Sequence, residues 1–357
     1  QMVDFAGWEM PIRYTSIVEE HRQVRTKGGV FDVSHMARLR IKGRHARRLL
    51  ERACTRKIYD MAEKQCRYAL MCNETGGVID DVLVYRLDET EFLVVANASN
   101  RAKVIAQFEA IKASGELVCT IDDQTESTAM VAVQGPGVIE EIGRFSSEIP
   151  TLKKYRFTQK NLMIMKVLVS RTGYTGEDGV EAILPAKAIS MAMQLMFKDV
   201  DLKADDAPIK LAGLGARDTL RMEAGMPLYG HELGEDINAL ASGLGFAISL
   251  DKSDDDRGEH FVGQDALRKT RDEGGPARVL AGLKLEGRRA ARQGATVKIG
   301  GAESGEVTSG CLSPTFDYPI AMAYVDREKA EAGTAVEVDT GRATIGGEIV
   351  PLPFYKR

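Results

Sequence analysis

CNETGGVIDDVLVYR, residues 72–86, sets two adjacent aspartates inside an apolar, β-branched run. Strands usually avoid aspartate, because its short carboxylate competes with the ladder and resists burial. Period-2 alternation predicts that Asp80 and Asp81 point to opposite faces, with Asp81, Leu83 and Tyr85 sharing one of them. The flanking runs QCRYALMC (65–72) and FLVVAN (92–97) make this the central strand of a meander. A five-residue loop at 87–91 pairs Arg86 with Phe92 and brings Asn97 opposite Asp81. A four-residue loop at 73–76 pairs Cys72 with Gly77 and brings Tyr68 opposite Asp81. One face then carries the row Tyr68, Asp81, Asn97, and a slip of one residue in either hairpin destroys it. A carboxylate, an amide and a phenol in one layer suit a heterocycle offering N–H donors and carbonyl acceptors. The competing reading has both aspartates capping the turn or meeting solvent.

Outward from this meander the chain reads as helices and strands in alternation. IVEEHRQVRTK (17–27) is a polar helix stopped by Gly28 and Gly29, and further helices are expected over 43–56 and 99–113. TAMVAVQGPGV (128–138) is a buried strand entering a Gly-Pro-Gly turn, and LMIMKVLVS (162–170) is another strand. Helices are predicted over 185–197, 210–224 and 264–272. From about residue 278 short strands alternate with glycine turns, the pattern of a small antiparallel barrel or sandwich. The expected split is therefore a large α+β part followed by an all-β module.

Composition narrows the function. The 357 residues include 48 Lys and Arg against 52 Asp and Glu, a net charge of −4, which argues against a nucleic-acid binder with a basic face. The basic run at 44–57 reads as a solvated amphipathic helix. No run approaches the roughly 18 apolar residues that span a bilayer. Five scattered cysteines and five histidines lack metal-type spacing, so reduced thiols and no metal site are expected. His35 reads as a hydrogen-bonded structural histidine. A phosphate-binding P-loop, a dinucleotide glycine fingerprint after a strand and a Gly-x-Ser-x-Gly elbow are all missing. Gly213 and Gly215 sit inside the helix predicted over 210–224.

Two further stretches stand out. In SRTGYTGEDGVE (170–181) the glycines permit a tight path, so that Tyr174 projects from a constrained turn and Glu181 enters the next strand. A decorative hairpin loop explains the same glycines. In GLGARDTLRMEAGMPLYGHEL (213–233) Arg217 and Arg221 share one helical face. One can bind an anion while the other pairs locally with Asp218 or Glu223.

Together these stretches resemble the T-protein family of the glycine cleavage system, tetrahydrofolate-dependent aminomethyltransferases. The resemblance runs nearly end to end, through MVDFAGWEMPIRY (2–14), FDVSHM (31–36), RYALMCNETGGVIDDVLVYR (67–86) and VAVQGP (131–136). It continues in the two stretches above, VTSGCLSP (307–314) and the terminal LPFYKR. It implies an α+β, three-domain cloverleaf. Two interleaved α+β folate-binding subdomains would fill residues 1–275 and a C-terminal antiparallel β-barrel residues 276–357, with folate in the central hole. The essential carboxylate of the family motif falls on Asp81. Its folate contacts fall on Met36, Tyr68, Leu83, Tyr85, Val95, Asn97, Tyr174, Glu181, Arg217 and Tyr355, while Arg221 is assigned a structural role. The implied reaction moves the methylene carbon of an aminomethyl group from the lipoyl arm of H-protein to tetrahydrofolate, releasing ammonia. Partners would be lipoylated H-protein and, functionally, P-protein and L-protein, with no metal, nucleic acid or membrane. The setting would be the bacterial cytoplasm, or the mitochondrial matrix in a eukaryote. Phe246 stands where many relatives carry tryptophan. Arg44, Arg47 and Arg48 suit either an acidic H-protein surface or solvent. A folate-dependent demethylase of a small methylated donor and a non-catalytic folate-binding protein are the alternatives.

Overall fold

A computed structural model describes residues 1–162, 165–197, 204 and 206–357. Two antiparallel-rich sheets and one closed barrel carry the fold. The five-stranded sheet runs, in spatial order, Cys66–Cys72, Val78–Arg86, Glu91–Ala96, Ala37–Lys42 and Thr120–Asp123. The six-stranded sheet runs Phe157–Leu162, Met165–Ser170, Gly179–Pro185, Thr128–Gln134, Gly29–Asp32 and Lys210–Leu211. The chain crosses from one sheet to the other after Asp32 and returns after Asp123, so the two are interleaved in sequence. The predicted strand at 162–170 resolves into the last residue of one strand, Leu162, and the whole of the next, Met165–Ser170, with Met163 and Ile164 outside the described residues.

Alternation assigns the layers. In the five-stranded sheet Val82, Val84, Phe92 and Val94 pack outward beneath the helices Ala46–Ala53 and Arg101–Ser114. Tyr85, Leu93 and Val95 point the other way and meet Phe31, Met130, Leu168 and Ile183 of the six-stranded sheet in a shared core. The outer face of the six-stranded sheet, with Val131, Val133, Val167 and Val169, is a separate apolar layer. Burying one side chain of this size contributes roughly 1.5–3 kcal/mol, so reversing a strand's faces would forfeit several such terms. Asp81 and Glu181 share the parity of these inward residues, which puts both carboxylates on the side where the sheets confront each other.

The meander forms as expected with one correction. Arg86 pairs with Phe92 as the sequence predicts. Cys72, however, pairs with Val78 instead of Gly77, and a bulge beside Met71 places Tyr68 opposite Leu83 and Leu70 opposite Asp81. The cause is Asn73. Its side-chain oxygen accepts from the nitrogens of Thr75 at 3.1 Å and Gly77 at 2.9 Å, and its own nitrogen donates to the Gly77 carbonyl at 2.9 Å. That closes the turn one residue later, and the bulge adds a second residue. The net offset of two is even, so Tyr68 stays on the face of Asp81 and reaches it diagonally.

Elsewhere the predicted helices appear at Ile17–Thr26, Ala46–Ala53, Arg101–Ser114, Ile189–Met196, Leu214–Glu223 and Gln264–Asp272. The start of the fifth is corrected: Lys210 and Leu211 form a short parallel strand with Gly29 and Val30. Gly213 is the extended cap before that helix, where a Cβ would fall 2.5 Å from the Ile12 carbonyl oxygen. The C-terminal strands close into a six-stranded barrel, from Arg278–Leu285 to Thr344–Val350. Only Ala46–Ala53 of the basic run is helical; Arg44, in the turn before it, and Arg47 and Arg48 on it are exposed, Arg48 pairing with Glu259 at 2.6 Å. No helix among the described residues is long and apolar enough to cross a membrane.

Candidate active site

Asp81, inside the central strand Val78–Arg86, is half-buried, and its carboxylate accepts from the Tyr68 hydroxyl at 2.9 Å and from Asn97 Nδ2 at 2.8 Å. The third strand stops at Ala96. Beyond it the Asn97 nitrogen donates to Asp80 at 2.9 Å, where a ladder bond would otherwise run. The row Tyr68, Asp81, Asn97 is therefore joined by side-chain hydrogen bonds. Burial pushes the Asp81 carboxyl above its usual range, and the Tyr68 and Asn97 donors pull it back without cancelling that rise. Burial likewise raises Asp80, on the opposite face, and the charge of Asp81 adds to it.

Tyr68 stacks on Phe246, ring centroids 6.1 Å apart, and Phe246 is 62% exposed. Leu83 and Met36 are half-buried and Val95 is buried, all three bordering the shared core. Tyr85 has no exposed surface and packs edge-on to Phe157, so its expected ligand contact is covered by the core in this structure. Its hydroxyl lies 3.2 Å from Ser170 Oγ, which lies 2.7 Å from Thr172 Oγ1. Thr172 donates to Glu181 at 2.5 Å, which completes a polar chain between the two carboxylate-bearing sheets.

The glycine-rich loop is built in, not decorative. Gln134 Nε2 donates to the carbonyls of Thr172 and Val180 at 3.1 Å each, and Thr175 Oγ1 donates back to Gln134 Oε1 at 3.2 Å. A Cβ on Gly173 would fall 1.9 Å from that amide oxygen, and Gly176 takes φ +82°. Thus pinned, Tyr174 donates its hydroxyl to the Pro227 carbonyl and offers its ring to Arg217, whose guanidinium carbon sits 4.7 Å from the centroid. Glu181 is buried and raised by desolvation, with Thr172 and then Arg217 opposing that rise. Yet no hydrogen bond joins Glu181 to Arg217 among the described residues, and Arg217 Nη1 is buried without a partner. His35 Nδ1 is also buried and unpartnered. Burial, then the nearby Arg217 charge, lowers the His35 pKa to about 4.

Arg221 takes the local role. It pairs with Asp218 at 2.9 Å and Glu232 at 2.9 Å and donates to Ser309 of the barrel at 2.9 Å. Tyr355 lies apart from the Asp81 cluster: its ring faces Arg25 at 3.9 Å and its nitrogen donates to the Glu223 carbonyl at 2.7 Å. Sequence reasoning missed Gln134, Ser170 and Thr172. Gln134 lay inside VAVQGP, one residue before the predicted turn, and that buried position was the available signal. Among the described residues no group of three or more His, Cys, Asp or Glu side chains is arranged to hold a metal ion.

Residues 1–252 match the family described as the GCVT N-terminal domain, and residues 278–356 match the glycine cleavage T-protein C-terminal barrel domain. The chain belongs to the glycine cleavage T-protein family. Its relatives in that family include an aminomethyltransferase of Rubrobacter xylanophilus, 45% identical over 100% of this chain and 91% of that protein. Another, from Cutibacterium acnes, is 43% identical over 99% of this chain and 94% of its own length. The crystal structure of glycine cleavage system aminomethyltransferase T from Bartonella henselae superposes with a TM-score of 0.89 at 30% identity, covering 100% and 94% of the two chains. The family fold expected from the sequence, with its closed C-terminal barrel, is the fold observed. Membership makes this chain an aminomethyltransferase.

Proposed function

We propose that the chain transfers the methylene carbon of an aminomethyl group, carried on the lipoyl arm of H-protein, to tetrahydrofolate. The carbon leaves nitrogen as ammonia and sulfur as the dihydrolipoyl thiol, and forms two C–N bonds to the folate. The observation that carries this reading is the Tyr68–Asp81–Asn97 cluster, facing the same inter-sheet region as Glu181 and Arg217. In the division proposed, residues 1–275 hold folate and 276–357 form the barrel.

The donor set suits a reduced pterin, which presents several N–H donors and one ring carbonyl. Asp81 and Glu181 are acceptors whose charge is poorly solvated, so N–H donors from a ligand lower their energy. Arg217 Nη1 supplies the complementary donor to an acceptor of the folate. Tyr68 and Tyr174 offer aromatic faces beside these groups, and Met36, Leu83 and Val95 an apolar wall. Asp81 orients the ligand and stabilises positive charge that develops at the reacting nitrogen. Tyr68 and Asn97 keep that carboxylate in one rotamer, so little reorganisation is needed when charge appears. Tyr85 acts behind the site through Ser170 and Thr172, and Tyr355 from the Arg25 side. H-protein is the partner proposed, in functional coupling with P-protein and L-protein. The location proposed is the bacterial cytoplasm.

The test is formation of 5,10-methylenetetrahydrofolate from aminomethylated H-protein, parent against Asp81→Asn. Loss of about 2–4 kcal/mol of transition-state stabilisation corresponds to a drop of roughly thirtyfold to a thousandfold in kcat. Full turnover by the variant would remove Asp81 from the mechanism, and a parent that only demethylates small donors would overturn the aminomethyl reading.

A further inference from the structure

Asp80 lies on the far side of the strand from the proposed folate face, without exposed surface. Its carboxylate takes three N–H donors: the Asn97 nitrogen at 2.9 Å, Asn97 Nδ2 at 2.8 Å and Asn100 Nδ2 at 2.7 Å. The same Asn97 Nδ2 lies 2.8 Å from Asp81 Oδ1. Its two hydrogens therefore bridge the two carboxylates around the edge of the strand. Held by Asp81 alone, the carboxamide would be free to rotate. Held by Asp80 through both its backbone and its side chain, it has one orientation. We propose that Asp80 is a positioning residue for the transfer step, fixing the Asp81 carboxylate through the carboxamide of Asn97. The inference rests on Asp81 being the functional carboxylate.

Charge accompanies the geometry. Asp81 faces Tyr68 from the neighbouring strand, Tyr174 from the glycine-rich loop and Asp80 from its own strand. Asp80 additionally faces Tyr229, over which Lys103 sits at 5.6 Å. Burial raises all three tyrosines, so the phenols stay protonated where the carboxyls titrate. Asp80 and Asp81 therefore oppose each other's ionisation, whereas the Asn97 hydrogens favour the ionised form of both. The charge of Asp81 is among the causes that raise Asp80 to about 8, so Asp81 ionises while Asp80 is still protonated, and removing Asn97's amide should hinder that ionisation.

Two substitutions separate positioning from simple scaffolding. In Asp80→Asn, one carboxamide cannot accept from Asn97 Nδ2, Asn100 Nδ2 and the Asn97 nitrogen without turning its own NH2 toward a donor. We expect kcat with aminomethylated H-protein to fall about tenfold or more, with KM for tetrahydrofolate within about threefold. The acidic limb of the kcat profile should stay in place, because Asp80 carries no charge where Asp81 titrates. Asn97→Ala keeps the backbone N–H for Asp80 but takes the side-chain donor from Asp81, so its acidic limb should move to higher pH. Asn100→Ala removes a buried bond to Asp80 and leaves the bridge intact. It is the stability control, with kcat within about twofold of the parent. An Asp80→Asn enzyme with parental kcat, beside an inactive Asp81→Asn enzyme, overturns the proposal while sparing the role of Asp81. Retained turnover in Asp81→Asn instead removes the proposed function's carboxylate and this inference with it. Should Asp80→Asn fail to fold, Asn97→Ala decides, because a limb that stays in place or moves down refutes the bridge.

Discussion

Replacing Glu223 with glutamine should loosen the attachment of the barrel to the two sheets and erase a defined part of the acid sensitivity. Glu223 ends the helix that carries Arg217 and has no exposed surface. It accepts from Ser313 at 2.5 Å and Thr315 Oγ1 at 2.7 Å, both at the end of a barrel strand, and from Arg25 at 3.0 Å. His21 Nε2 lies 3.2 Å away. Burial pushes this carboxyl up, but the bonds from His21, Ser313 and Thr315 outweigh it and bring the pKa from 4.5 to about 2. At about 1.36 kcal/mol per pH unit, that difference is on the order of 3 kcal/mol. The folded-state value is depressed. The contribution is therefore complete above pH 4.5 and drains away as pH falls toward 2. Glutamine cannot accept from all these donors, so Glu223→Gln should melt lower at pH 7, by on the order of 4 °C for a chain of this length. Calorimetric scans of parent and variant at pH 7, 5, 4 and 3 (about one unit apart in acid) should show the gap narrowing below the ordinary carboxylate range. A gap that stays constant down to the lowest pH would show that the ionised carboxylate is not what joins these elements.

Lys252 is fully buried, 2.9 Å from Glu51, and donates to the carbonyls of Glu51, Cys54 and Arg56 at 2.5, 2.7 and 2.8 Å. Lys252→Met strands the Glu51 charge and should cost about 3–5 kcal/mol, with Glu51→Gln added to it restoring part. An unchanged melting temperature would refute the pairing. Arg217→Lys loses the flat guanidinium over Tyr174 and the second nitrogen of the fork, so KM for tetrahydrofolate should rise about tenfold with a smaller change in kcat. Steady-state kinetics with aminomethylated H-protein checks this, and an unchanged KM would take Arg217 out of the folate contacts.

Period-2 alternation was enough to place Asp81, Leu83 and Tyr85 on one face, because a half-buried strand leaves little freedom of register. The loop at 87–91 pairs as its length dictates. The preceding hairpin does not, because Asn73 acts with its side chain and the bulge adds a residue that loop counting cannot see. The row survived only because the error was even. Tyr85 was placed on the right face but not at the right depth: the sequence carries no sign that Ser170 and Phe157, far along the chain, cover it. Lys252 was illegible, and Glu223 was read only as a local partner of the helix arginines, for the same reason: each is buried against partners in distant segments. The glycines at 173 and 176 left two readings open, and only Gln134 beneath the loop distinguishes them.

The electrostatics of the inter-sheet face argue for what kind of ligand it can accept. Asp81 and Glu181 are raised by desolvation, and Arg217 is lowered by it. Each is charged against a penalty that its protein partners only partly offset. Two of these partners, Asn97 and Thr172, already give hydrogens to the carboxylates, so a molecule presenting further N–H groups adds to an incomplete set of bonds. One presenting only acceptors would meet unpaired oxygens and pay the penalty again. The same incomplete satisfaction that makes Asp81 costly to bury makes its interaction with a cationic centre strong when water is excluded. A fully satisfied Asp81, ion-paired as Glu223 is with Arg25, would have little left to give a reacting nitrogen. The contrast between these two carboxylates in one chain, one held down by its partners and one held up by burial, separates a group that fastens the fold from the one proposed to act on the substrate.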